Sequence, residues 1–140
     1  WVPTSTPGTR RAHADEAQAV ADTVAALVQV LVAADAFHDD AIGVVSAFRA
    51  QCHAIRQRIE AAIGAEAAAR VEVDTVERFQ GREKDAMLIS LVATEWSDFV
   101  MNHHRLNVAM TRARCKTIVF GSRDVGARLV DWVRAVSQGG

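Results

Sequence analysis

Hydrophobic positions along the chain alternate between two spacings. Ala17, Val20, Ala21, Val24, Leu27, Val28 and Leu31 recur at intervals of three and four, one stripe of a helix. That helix is expected from about Asp15, with Asp15 as N-cap and Gln18 in capping-box spacing. Phe48, Cys52, Ile55 and Ile59 mark the buried side of a second helix, with Arg49, Gln51, Arg56 and Arg58 facing elsewhere. Ser46 is placed to cap it and Gly64 to stop it. Leu106, Met110 and Ala113 stripe a third helix over 105–114, and Leu129, Trp132, Val133 and Val136 a last one from about Asp124. Between these lie short apolar runs of strand length at 1–4, 41–45, 70–75, 86–92 and 117–120. The run 86–92 is continuous, as in a central strand covered on both faces. Pro3, Pro7 and Gly8, residues 37–40, the polar stretch 79–83 and the loop 95–102 punctuate the elements.

This order predicts an α/β domain built on a parallel sheet with helices on both faces. Such sheets bind ligands outside the carboxyl ends of their strands. Ser46, Thr75, Gln80, Glu83 and the loop before Arg105 all follow predicted strands, so the polar residues are expected to gather on one edge.

Composition adds limits. The 140 residues fit one domain, 1–140, and half of them are hydrophobic, which excludes a disordered chain. Net charge is −1, so any grip on nucleic acid must come from a local patch. One such patch exists: residues 99–123 hold five Lys or Arg and no Asp or Glu. Arg105 and Arg112, seven apart, project together from the predicted helix and suit an anion, although a solvated basic helix end has the same spacing. Cys52 and Cys115 have no metal-ligand spacing, fall at predicted core-side or helix-end positions, and fit a reducing cytoplasm. No apolar run is expected to approach the length of a membrane span, the first residues form no signal peptide, and no metal site is expected. The abrupt start at Trp1 reads as a domain excised from something larger.

Three stretches stand together: Ile42 to Gln51, Asp74 to Asp85, and Arg105 to Arg114. In this order they resemble motifs IV, V and VI of superfamily 1 helicases, and most closely the group that includes the nonsense-mediated-decay helicase and related DNA helicases. The Gln80-Gly81-Arg82-Glu83 turn followed by Asn107-Val108-Ala109-Met110-Thr111-Arg112-Ala113-Arg114 is specific as a pair, and the resemblance covers nearly the whole chain.

The resemblance implies a second, C-terminal RecA-like domain of the P-loop NTPase class, with ATP in the cleft between it and an N-terminal RecA-like domain of the same chain. That first domain carries the Walker A loop and, with it, most of the contacts to ATP and Mg; no Walker A pattern occurs in these 140 residues. The fragment is therefore expected to be a monomer, inactive alone, and a partner of single-stranded DNA or RNA rather than of a membrane. By the same resemblance Arg112 is the arginine finger on the γ-phosphate. Gly81 lets the backbone approach the nucleotide. Glu83 contacts the ribose, Gln80 links the nucleotide to the nucleic-acid side, Arg105 and Asn107 orient the finger helix, and Thr75 contacts a strand phosphate. Three of them have a plainer alternative: Gly81 makes a turn, Glu83 pairs with Lys84 or Arg82 on the surface, Thr75 caps. His103 and His104 read as loop residues, and Trp96 and Phe99 either stack on bases or close over the core.

The sequence departs from the family at Ala47, often Pro; at Glu77, often Asp; at His104, often Arg; and at His13, commonly Asn. The last two put nucleotide contacts at those points in question. Two other readings stand beside the motor: a helicase half kept only as a module that binds nucleic acid or protein, and an unrelated doubly wound domain in which the motif pair is coincidence.

Overall fold

The computed structural model describes residues 2–4, 10–46, 48–79, 83–92 and 113–122, and within them the side chains of all but 2–4, 10–13 and 122. Arg105, Arg112, Gln80 and Gly81 lie outside the described residues, as do the finger helix to Arg112, the last helix, Ala47, Trp96, Phe99, His103 and His104.

Five parallel strands form one sheet: β1 (Val2–Thr4), β2 (Ile42–Ser46), β3 (Glu72–Thr75), β4 (Lys84–Ser90) and β5 (Ala113–Ser122), in the spatial order β1-β5-β4-β2-β3. With the helices α1 (Arg10–Ala33), α2 (Arg49–Ile63) and α3 (Ala65–Ala68) the architecture is α/β and RecA-like. Ile42, Val44, Val73, Ala86, Leu88 and Phe120 on one sheet face pack with Val20, Val24, Cys52, Ile55 and Ile59 of α1 and α2 into a single core. Fully burying an aliphatic side chain of this kind contributes about 1.5–3 kcal/mol.

α1 begins at Arg10, not Asp15. Arg10 to Ala14 hold no helix breaker, so the helix runs on upstream, and Asp15 is an interior residue. Gln18 donates forward to Asp22 (2.9 Å) instead of closing a capping box. The helix ends in a Schellman motif: the Ala36 N–H reaches the Leu31 carbonyl (2.8 Å) and the Asp35 N–H the Val32 carbonyl (3.1 Å). Asp35 takes the left-handed conformation there, φ 53°, which Asp tolerates better than most residues. Ala14–Ala33 is long and apolar enough to cross a membrane by length and hydropathy, contrary to the sequence expectation. Its Ala17, Val20, Ala21, Val24 and Val28 are nonetheless the stripe buried in the domain core.

Ser46 is the last residue of β2, not the cap of α2; Phe48 takes that place without a side-chain cap bond. Phe48 stands before the first helical turn and is half exposed, while Gln51 is buried, reversing the two expected positions. Gly64, φ 87°, stops α2 as expected, and the short α3 follows. β3 starts at Glu72 and β4 at Lys84 and ends at Ser90, shifted from the apolar runs at 70–75 and 86–92.

β5 begins at Ala113, so Ala113 and Arg114 are strand residues, and the helix read over 105–114 cannot extend to them. Their pairing along β4, with Ala113 opposite Lys84, overrides the helical spacing. Cys115 is consequently an exposed strand residue, not a core-side or helix-end one.

Because β3 and β4 are parallel, residues 76–83 must return from the carboxyl edge of the sheet to its amino edge. Phe79 guides this return. Its ring lies against Gly43 in β2, where a Cβ would come within 2.7 Å of the ring, 2.8 Å of the Met87 sulfur and 2.9 Å of the Lys84 Cγ. A strand glycine here is the condition for close approach of an aromatic ring to the sheet.

Candidate functional site

The return crossing divides the predicted site residues between two edges. Of those described, Thr75 ends β3 at the carboxyl edge, and Glu83 immediately precedes β4 at the amino edge. The expected gathering of polar residues on one edge is thus corrected, and the physical reason is strand direction. Glu83 follows β3 in sequence, but the chain has crossed the sheet before reaching it.

At the carboxyl edge three hydroxyl residues stand in register across adjacent strands, Ser90, Ser46 and Thr75. All are buried. The Thr75 carbonyl accepts from the Arg78 and Phe79 N–H groups (3.1 and 2.9 Å), which opens the turn leading away from the edge. Arg56 of α2 donates through Nε (3.0 Å) and Nη2 to the Val73 carbonyl and fixes α2 to β3 beside this row. Beneath it, Glu16 of α1 is only 3% exposed. Its Oε1 accepts from the Ser90 hydroxyl (2.6 Å) and from the Val92 N–H (2.9 Å), while Gln51 donates to Ser90 (3.2 Å). A buried carboxylate needs such donors to offset lost hydration. Val92 has φ 54°, an outlier for a β-branched residue, in the segment that Glu16 holds. Sequence spacing alone does not mark Glu16, Gln51 and Ser90 as site residues. The available signal was a serine closing the apolar run of β4 and a glutamine on the face of α2 that proves buried.

The amino edge is built of charges. Lys84 is 2% exposed and its Nζ is taken by Asp40 (3.0 Å), Glu72 (3.2 Å) and the Asp39 carbonyl (3.3 Å). Glu83 is exposed beside it, and Lys84, one of its two alternative partners, is directed to Asp40 and Glu72. Asp85 stands at a register shift between Lys84 and Ala86, where β5 carries the extra residue: Arg114 and Cys115 together face Asp85, and a bulge of this kind re-aims a side chain. Its carboxylate takes Arg114 of β5 on one oxygen (2.8 Å) and His38 Nε2 on the other (2.9 Å). The Asp40 N–H donates to His38 Nδ1 (3.1 Å), so Nδ1 is the acceptor and Nε2 carries the proton given to Asp85. The His38 hydrogen bond is the largest influence on the Asp85 carboxyl and lowers it; burial, the next largest, opposes this, and the Arg114 and His38 charges add to the lowering, so the group stays below its ordinary value.

Burial pushes the Cys52 thiol up, so it is a packing residue and not a nucleophile. Among the described residues no group of three or more His, Cys, Asp or Glu side chains is gathered for a metal. A cavity of about 470 Å³ opens beside Ala14, Phe48, Gln51, Arg58 and Val92.

Residues 3–124 match the model of a family described as an AAA domain. Among similar proteins, the DNA replication ATP-dependent helicase/nuclease dna2 of Schizosaccharomyces pombe is 36% identical over 85 residues, covering 58% of this chain and 6% of that protein. Helicase sen1 of the same organism is 34% identical over 86 residues, 59% of this chain and 5% of its own. The DNA polymerase alpha-associated DNA helicase A of Saccharomyces cerevisiae is 37% identical over 90 residues, 62% of this chain and 13% of its own. The matched segment is thus a small part of each of these relatives. With its parallel RecA-like sheet and its motif stretches in order, the chain belongs to this AAA domain family and is a helicase-family domain of superfamily 1.

Proposed function

We propose that this chain is the C-terminal motor domain of an ATP-dependent DNA or RNA helicase, completing an ATP site it shares with an N-terminal RecA-like domain. The observation that carries the reading is the division of the sheet. Thr75, the phosphate contact on the nucleic acid, ends a strand at one edge. Glu83, the ribose contact, is exposed at the other, where β5 also emerges directly after Arg112. Residues 76–83, with Gln80 and Gly81 among them, join the two edges. In this reading Arg112 neutralises charge that grows on the γ-phosphate in the transition state, and Arg105 orients it. Single-stranded nucleic acid is gripped at the carboxyl edge.

In the full-length protein, Arg112→Ala is expected to cut ATP turnover by roughly a thousandfold or more. ATP affinity should change far less, because the contact strengthens mainly in the transition state. Arg112→Lys should also fail, since a point charge does not reproduce the planar fork. Arg128→Ala is the control and should behave as wild type. Steady-state hydrolysis with saturating single-stranded oligonucleotide, DNA and RNA in separate arms, measures all three. Wild-type turnover by Arg112→Ala, or a rise in the Michaelis constant alone, would show that Arg112 is not the finger and make Arg105 or Arg114 the candidate.

A further inference from the structure

We infer that the Asp85–Arg114 ion pair is a clamp that positions the nucleotide-facing residues of two separate chain segments against each other. The inference rests on the motor reading above and names positioning residues for the same site.

Its basis is a symmetry of placement. Asp85 lies two residues after Glu83, and Arg114 two residues after Arg112. Each member of the pair therefore sits within about 7 Å of chain from a proposed nucleotide contact. The backbone ladder between β4 and β5 is interrupted here: Lys84 pairs with Ala113, Ala86 with Lys116, and the register slips between them. At that slip the side chains bridge the strands, Arg114 Nη2 to Asp85 Oδ1 at 2.8 Å. The second carboxylate oxygen is held by the His38 Nε2–H, and His38 is oriented by the Asp40 N–H. The Asp85 N–H is itself fixed to the Asp40 carbonyl at 3.0 Å. Asp85 is thus immobilised from the β2 side and offers Arg114 a fixed partner.

Arg114 is 45% and Asp85 32% exposed. A pair so open to water adds little to stability. What it supplies is direction at the place where β5 takes over from Arg112. Catalytic geometry is sensitive to that, since a misplacement of about 1 Å costs up to roughly a hundredfold in rate.

The test uses the full-length protein with ATP and saturating single-stranded oligonucleotide, comparing Asp85→Asn, Arg114→Gln, the double variant and Arg114→Lys. Each neutral single variant should lower kcat on the order of tenfold. KM for ATP should stay near wild type, and the melting temperature at neutral pH should fall only slightly, because the pair is open to water. The double variant should be no worse than either single one, because both remove the same contact. Arg114→Lys keeps the charge and should recover most of the rate. Unchanged kcat in the singles, or losses that multiply in the double, would overturn the clamp. So would a loss in Arg114→Gln without one in Asp85→Asn, which would make Arg114 a ligand contact in its own right. If Arg112→Ala keeps full turnover, the assignment of Arg112 on which the clamp rests fails first. If Arg112→Ala is dead while the clamp variants are normal, the clamp alone fails.

Discussion

Asp85 takes its importance from its neighbours. A carboxylate that holds a histidine N–H and a guanidinium prefers its charged form in the folded chain, so its native pKa lies below the ordinary 3.8. The unfolded chain then binds the proton more readily, and stability rises with pH through that region. The contribution is complete above about pH 4 and is lost as pH falls through the native pKa. Asp85→Asn should therefore melt slightly below wild type at neutral pH, the pair being open to water, with the gap closing as pH falls through the native pKa. A gap that stays constant or widens on acidification would show that another group governs the difference. Glu16 makes the opposite point about reading a sequence. Nothing around it forecasts a carboxylate buried to 3%, because its donors come from Ser90 and Val92, more than seventy residues away.

The elements were legible where periodicity rests on packing and illegible where pairing decides. The stripes of α1 and α2 follow from their spacing, as does the apolar run of β4, since each faces the core it helps form. The start of β5 was hidden: Ala113 completes a helical stripe with Leu106 and Met110, yet pairs with Lys84 in the sheet. Ser46 and Phe48 were exchanged in role for a similar reason, as β2 runs one residue further to match Thr75 and Ser90. Gly43 is the element-scale residue on which the crossing depends. Its missing side chain admits the Phe79 ring, and a Cβ would press on Phe79, Met87 and Lys84 at once. Gly43→Ala is expected to cost about 1–3 kcal/mol, as overpacking of a closed core does. A denaturant titration checks this: the midpoint should fall with an unchanged slope. A midpoint at the wild-type value would mean that Phe79 moves aside freely.

For the whole molecule, the fold class and the family could be read from motif order, because strand, turn and helix must recur in a set sequence to build the sheet. The two-edged layout of the candidate site could not, since strand direction becomes visible only in the parallel topology. The purified 140-residue chain is expected to hydrolyse ATP negligibly, as no phosphate-binding loop is encoded in it. Its affinity for single strands should be weak and fall steeply with salt, given a net charge of −1 and a single local basic patch. Robust Mg-dependent hydrolysis, or tight binding in high salt, would contradict the half-site reading.

The crossing from Thr75 to Lys84 also has a length. A parallel crossover commonly takes a dozen residues or more, and these strands are joined by residues 76–83. Fully extended, such a span reaches about 26–29 Å, while a seven-residue strand beside it measures roughly 23 Å. Residues 76–78 already spend part of that reach in a turn. Chain length alone therefore leaves only a few ångströms to spare between Thr75 and Lys84, and residues inserted here would lengthen the link between the two edges.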